Sequence, residues 1–210
     1  LVQNNDASDK NGGLIRIERT GNLCLTGDMP KEADLEEGQA AVYGTRLSGG
    51  KAANGNAVYA DLGGTTEMKL AHGTKADYPE IDGSIYLTGN KTTGNGGAIS
   101  NTADGNVYLL GGTITGNSAT TGGAVYSEGA VSIRGTVSVT GNTVINSTPE
   151  TASNVVLDKN GIINVNGAVT GSTIGLAVQE AAAGRTVVKL ADGVTDVTLS
   201  DVISQITYEG

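Results

Sequence analysis

The chain has 210 residues, among them 33 glycines and seven tyrosines with no Phe or Trp, and it carries a formal net charge of −9. That charge weighs against nucleic acids and anionic membranes as partners, because affinity for either comes mainly from Lys and Arg displacing counterions. One cysteine, Cys24, permits neither an internal disulfide nor a multi-cysteine metal site, and one histidine, His72, permits no multi-histidine site.

A core without Phe or Trp must be built from Val, Ile, Leu and Ala, which pack in thin layers. The apolar fraction of 38% is low, yet these residues fall in short β-branched clusters, so folding is expected over disorder. No apolar run approaches the roughly 20 residues that cross a bilayer, and Leu1 does not open a charged-then-apolar secretion signal. A start without Met and a stop at Tyr208-Glu209-Gly210 read as a segment excised from a larger precursor.

In chain order, Gly13-Leu14-Ile15 is the first glycine followed by branched residues, and Thr20-Gly21-Asn22 precedes the alternating strand Leu23-Cys24-Leu25. Residues 28–39 break the rhythm with Glu32, Asp34, Glu36 and Glu37 around Pro30, and read as a corner insertion. Gly55-Asn56-Ala57-Val58 and Met68-Lys69-Leu70 resume the pattern before a second insertion at residues 71–82, which carries His72, Tyr78 and Pro79. Both insertions are expected to be surface loops, although solenoid insertions can carry function.

The pattern is clearest beyond residue 83. Thr88-Gly89-Asn90, Thr115-Gly116-Asn117 and Thr140-Gly141-Asn142 recur at intervals of 27 and 25 residues, each closing a short apolar strand. Gly97-Ala98-Ile99 and Gly123-Ala124-Val125 follow in the same order, with a degenerate match at Asn154-Val155-Val156. Val107-Tyr108-Leu109, Val131-Ser132-Ile133 and Ile163-Asn164-Val165 complete each cycle with period-two strands.

Three strands and three corners per cycle of about 25 residues match one coil of a β-solenoid, which buries its interior only by stacking on its neighbours. The expected architecture is therefore all-β, a right-handed parallel β-helix of about five coils and roughly 25 Å length at ~4.8 Å per coil. Alternation places Ile85, Leu87, Val137 and Val139 inside and lines up Tyr86, Thr113 and Ser138 outside. Asn90, Asn117 and Asn142 are expected to stack at one corner, their amides hydrogen-bonded along the column. The helix is expected over residues 1–172 and a capping segment, itself truncated, over 173–210. Within the cap, Thr173 to Val178, Thr186 to Leu190 and Val194 to Leu199 read as strands and Ser200-Asp201-Val202-Ile203 as a helical turn.

The Thr-Gly-Asn and Gly-Gly-Ala-Ile/Val repeats resemble those of β-helical adhesin-like surface proteins of gut Firmicutes and, more distantly, of chlamydial polymorphic membrane proteins. The likeness is strongest between residues 83 and 199, and the run from Val155-Val156-Leu157 through Ile162-Ile163-Asn164-Val165-Asn166-Gly167 and Gly171-Ser172-Thr173-Ile174-Gly175 to Arg185-Thr186-Val187-Val188 resembles the usual end of such a helix. The resemblance implies a secreted module displayed at the cell wall or cell surface, contacting host or bacterial surface glycan or protein. It supplies no catalytic residues, and no catalytic, metal or cofactor site is assigned.

The alternative is a carbohydrate-active β-helix, a polysaccharide lyase or glycoside hydrolase, which needs convergent charge. Between residues 83 and 167 the acids Asp104, Glu128, Glu150 and Asp158 form no evident repeating pair, and Lys91, Arg134 and Lys159 form no cluster. Asp77, Glu80 and Asp82 offer oxygen ligands for calcium, but their spacing fits neither an EF-hand nor a nonapeptide repeat. Asn95-Gly96-Gly97 lacks the Lys-Ser/Thr of a phosphate loop. Thr113-Ile114-Thr115 has the Thr-x-Thr form of an ice-binding array, but adjacent coils do not repeat it. An outward column of Thr, Ser, Tyr and Asn suits weak polar contacts instead, with Tyr86 and Tyr108 as its candidate contacts.

Overall fold

The computed structural model describes the backbone of residues 2–3, 6–11, 15–18, 22–27, 45–48, 51–55, 58–61, 65–70 and 85–210 except 104, and side chains at residue 52 and from residue 86 on, 104 and 106 excepted. The two expected insertions, and with them His72, Asp77, Tyr78, Glu80 and Asp82, lie outside the described residues, as does Asp104.

The chain winds into a right-handed parallel β-helix, in which each of the first seventeen strands pairs in parallel with the strand four places later. The first face stacks β1 (Val2–Gln3), β5 (Thr45–Ser48), β9 (Ile85–Thr88), β13 (Gly112–Thr115) and β17 (Val137–Val139). A narrow second face stacks β2 (Asp6–Asn11), β6 (Lys51–Asn54), β10 (Lys91–Thr92), β14 (Ser118–Ala119) and β18 (Thr143–Val144). The third stacks β3 (Ile15–Glu18), β7 (Val58–Asp61), β11 (Ile99–Asn101), β15 (Val125–Ser127) and β19 (Val155–Leu157). The fourth stacks β4 (Asn22–Gly27), β8 (Thr65–Leu70), β12 (Asn106–Leu110), β16 (Ala130–Gly135), β20 (Ile162–Val169) and β22 (Val188–Leu190).

Each coil thus has four strands where three were expected. The additional strand is two residues long in the coils after β6, too short for period-two alternation to reveal it. The glycine-led series aligns as read, with Ile15, Val58, Ile99, Val125 and Val155 in one register column. On the fourth face Met68 pairs with Leu25 and Leu109, so its triplet sits two residues further along than the alignment of the others implies. A shift of two preserves which side chains face inward.

The interior is aliphatic and closed. Leu87, Ile114, Val137 and Val139 from the first face meet Ile99, Val125 and Val155 from the third and Val107, Leu109, Val131, Ile133, Ile163 and Val165 from the fourth, all at most 1% exposed. Each such side chain stabilises the coil by roughly 1.5–3 kcal/mol relative to exposure. At the Thr-Gly-Asn corner, Gly89, Gly116 and Gly141 take φ of +67°, +66° and +67°, a left-handed turn that a side chain resists.

That turn sends the following asparagine inward, where Asn90, Asn117 and Asn142 are at most 1% exposed. Asn90 Nδ2 donates to Asn117 Oδ1 and Asn117 Nδ2 to Asn142 Oδ1, both at 2.9 Å. The same acceptors take the backbone N–H of Asn90 and Asn117 at 3.0 Å. Each Oδ1 therefore receives two donors from the coil before it. Asn154 extends the ladder by accepting from Asn142 Nδ2 and N at 2.7 and 3.1 Å, although only 12 residues separate the pair.

The carboxy-terminal end closes differently from the body. β21 (Thr173–Val178) bridges two faces, its first half pairing with β17 and its second with β19, so one strand joins the first and third faces into a single sheet. β22 lies within the expected Thr186–Leu190 strand. Val194 to Leu199 is not a strand: Thr198 is an N-cap and Leu199 opens α1 (Leu199–Ile203), a short helix that covers the expected turn at Ser200 to Ile203 and begins one residue before it. Thr198 Oγ1 and Asp201 form a reciprocal capping box, while Val202 is fully buried against the core. β23 (Ile206–Tyr208) then pairs with β21, a strand the sequence reading missed.

Candidate functional site

The first face presents a row of hydroxyls. Inward Leu87, Ile114 and Val139 force their neighbours outward, so Tyr86 and Thr88, Thr113 and Thr115, and Ser138 and Thr140 form two parallel columns. Register aligns Tyr86 with Thr113, Thr113 with Ser138, Ser138 with Thr173, and Thr88 with Thr115. The expected outer column of Tyr86, Thr113 and Ser138 is thus present, with Arg46 next in register beyond Tyr86. Tyr86 is 37% exposed and is among the few large apolar side chains presented to solvent. Tyr108 lies on the fourth face between Glu67 and Ser132, so the structure does not bring the two candidate tyrosines together.

A second grouping sits at the corner that follows the third face. Ser127 pairs with Leu157, which puts the next residues, Glu128 and Asp158, on adjacent coils at one corner. Both carboxylates act on Tyr126, which is 8% exposed and hydrogen-bonded to Asp158. Burial, then the charges of Asp158 and Glu128, then that hydrogen bond push the phenol up from 10.0 to about 12. Such a tyrosine stays protonated at neutral pH and acts as a hydrogen-bond donor. The sequence reading missed this pair because 30 residues separate Glu128 from Asp158, more than the 25–27 of the Thr-Gly-Asn series.

The remaining charged candidates stay apart. Lys91 is exposed on β10 of the narrow second face and Glu150 and Lys159 are exposed at different corners, and the Asp158 carboxylate accepts from the Lys159 backbone N–H. Arg134 is exposed, its Cδ lying 3.2 Å from where a Cβ on Gly167 would be. Among the described residues no group of three or more His, Cys, Asp and Glu is placed to hold a metal ion. Among those residues, too, no helix is long and apolar enough to cross a membrane.

A shallow cleft of about 200 Å³ opens at the carboxy-terminal end between Val178, Ala181, Ala182, Arg185, Val187 and Tyr208. Arg185 serves the backbone there, donating from Nη1 to Gln179 O at 2.8 Å and from Nη2 to Gly161 O at 2.9 Å and to Asp158 O. It fastens the loop before β22 to the preceding corner. Comparison with family models, with curated proteins and with solved structures finds no match to this chain.

Proposed function

We propose that the chain is a non-enzymatic structural and adhesive module of a secreted or surface-displayed bacterial protein, a stiff rod that spaces or presents a binding face for surface glycan or protein. The observation that carries this reading is the continuous parallel ladder with a filled aliphatic interior and an uncharged row of outward hydroxyls on one side. Backbone pairing at every coil fixes the outward side chains, so a ligand meets a surface already ordered, which lowers the entropic cost of binding. The resemblance to adhesin-like β-helices of gut Firmicutes supports the same assignment and its place at the cell wall.

The test is to incubate the purified protein with polysaccharides and cell surfaces, with and without calcium, and follow retained protein and newly released sugar ends. Retention without release is expected. Release of sugar ends overturns the reading in favour of a polysaccharide lyase or hydrolase. The observation that favours this second reading is the pairing of Glu128 with Asp158 beside Tyr126, so Glu128→Gln and Asp158→Asn are the variants that would then abolish release.

A further inference from the structure

We infer that the first face binds an extended, uncharged polysaccharide, with Tyr86 as the stacking platform and Thr88, Thr113, Thr115, Ser138 and Thr140 as the hydroxyl track; this rests on the adhesive reading above and names its ligand class. From Tyr86 to Thr173 the outward residues of β9, β13, β17 and the first half of β21 carry hydroxyls and no charge. Tyr86 is 37% exposed and Thr113 and Ser138 are partly exposed, so their side chains reach solvent.

Three features select the ligand. A hydroxyl both donates and accepts, which matches the hydroxyls of a sugar, and between Tyr86 and Thr173 the track carries no fixed charge to neutralise a uronate or sulfate, Arg46 standing in register beyond it. The chain's net charge of −9 further disfavours polyanions. Tyr86 offers an apolar ring with a polar tip, suited to a surface whose faces are C–H and whose rim is hydroxyl. The hydroxyls recur at the coil spacing of ~4.8 Å, so a polymer laid along the rod meets a pair of hydroxyls at each of the three coils that carry β9, β13 and β17.

The experiment is affinity electrophoresis in gels containing a neutral β-glucan, xylan or mannan, and in a gel containing polygalacturonate, together with a reducing-end assay. The expected result is retardation in at least one neutral gel and none in polygalacturonate. Tyr86→Ala is expected to weaken that binding tenfold or more and Thr113→Val with Thr115→Val severalfold. Tyr108→Ala, on another face, should leave it unchanged, and circular dichroism confirms that the ladder persists in each variant. Free migration in all neutral gels, retardation insensitive to Tyr86→Ala, or retardation in polygalacturonate alone overturns the inference. Release of reducing ends accompanied by Tyr86-dependent binding overturns the non-enzymatic reading while supporting this face, so the two failures are distinguishable.

Discussion

Glu209 stands where the next asparagine of the ladder would stand: its two carboxylate oxygens accept from Asn154, Oε2 from the backbone N–H at 3.0 Å and Oε1 from Nδ2. A stacked polar column cannot simply end, because the last donors would be left buried without acceptors, and Asn154 is 4% exposed. A carboxylate answers this need better than another amide, since both of its oxygens accept and it brings no N–H of its own. The tail is held in place by its own ladder as well, with Gly175 in register with Thr207 and the Glu209 N–H donating to Leu176 O at 2.9 Å.

Glu209→Ala should therefore loosen the carboxy-terminal end specifically. Two buried donors lose their acceptors, at about 1–3 kcal/mol each. Hydrogen exchange at the Asn154 and Val155 amides is expected to accelerate, while the Asn90 and Ile99 amides, several coils away, keep their protection. Uniform acceleration along the rod would mean that the tail supports the whole helix rather than its end.

Gly175 is the partner of this arrangement. A Cβ built there would lie 2.0 Å from Glu209 Oε1 and 2.5 Å from Asn154 Nδ2, so the glycine makes room for the carboxylate. Gly175→Ala is expected to displace Glu209 and to cost about as much as Glu209→Ala. The double variant should cost less than the sum of the two single ones, because the Glu209 contact is removed in both while the crowding of Asn154 belongs to Gly175→Ala alone. Additive losses in denaturant unfolding would show the two positions to be independent.

The ladder was legible in its body and illegible at its end, for a physical reason. Thr-Gly-Asn recurs because the turn needs glycine at positive φ and the column needs an amide, so Asn90, Asn117 and Asn142 announce themselves as a period. Asn154 does not follow Thr-Gly, and Glu209 replaces an amide by a carboxylate, so neither shares the signature although both share the chemistry. The outer column of Tyr86, Thr113 and Ser138 followed from alternation alone. Val194 to Leu199 failed because alternation implies a strand only where a neighbouring edge is free, and there the chain instead caps α1 with Thr198 and buries Val202. Glu128 and Asp158 met unseen because corner length varies between coils, and spacing in sequence does not measure spacing across corners.

Within the body, Asn117 is bonded to both of its neighbours in the column and to the backbone. Its Nδ2 donates to Leu87 O at 2.9 Å, to Thr115 O at 3.1 Å and to Asn142 Oδ1, while its Oδ1 takes both donors of Asn90. Asn117→Ala orphans those donors and should cost roughly 3–5 kcal/mol. Asn117→Asp keeps the shape but turns an oxygen toward three acceptors, so the folded state favours the protonated acid and raises its pKa above the unfolded value of about 3.9. The variant's penalty is then small below about pH 4 and grows as pH rises toward the folded pKa. A stability difference between wild type and Asn117→Asp that does not change from pH 3 to pH 7, all on the order of ordinary carboxylate titration, would refute this account.

Tyr126 should make the rod sensitive to alkali. Its phenol titrates near 12 in the folded chain against 10.0 as an isolated group, chiefly because burial and then Asp158 and Glu128 disfavour the phenolate. A group whose folded pKa lies above its unfolded one contributes stability that is fully present below the unfolded value and lost as pH rises through the folded value. The relevant window is therefore about pH 10 to 12, and the stability contributed by the protonated phenol is lost across it. Tyr126→Phe has no proton to lose, so the wild-type advantage over it should shrink across that window while remaining constant between pH 7 and 9, all roughly as the linkage requires. Glu128→Gln should lower the Tyr126 transition, because it removes one of the two carboxylates that oppose the phenolate. Denaturant midpoints for the three proteins, with phenolate absorbance followed in parallel, check both statements; difference curves that stay flat through the window would show that Tyr126 titrates alike in the folded and unfolded chains.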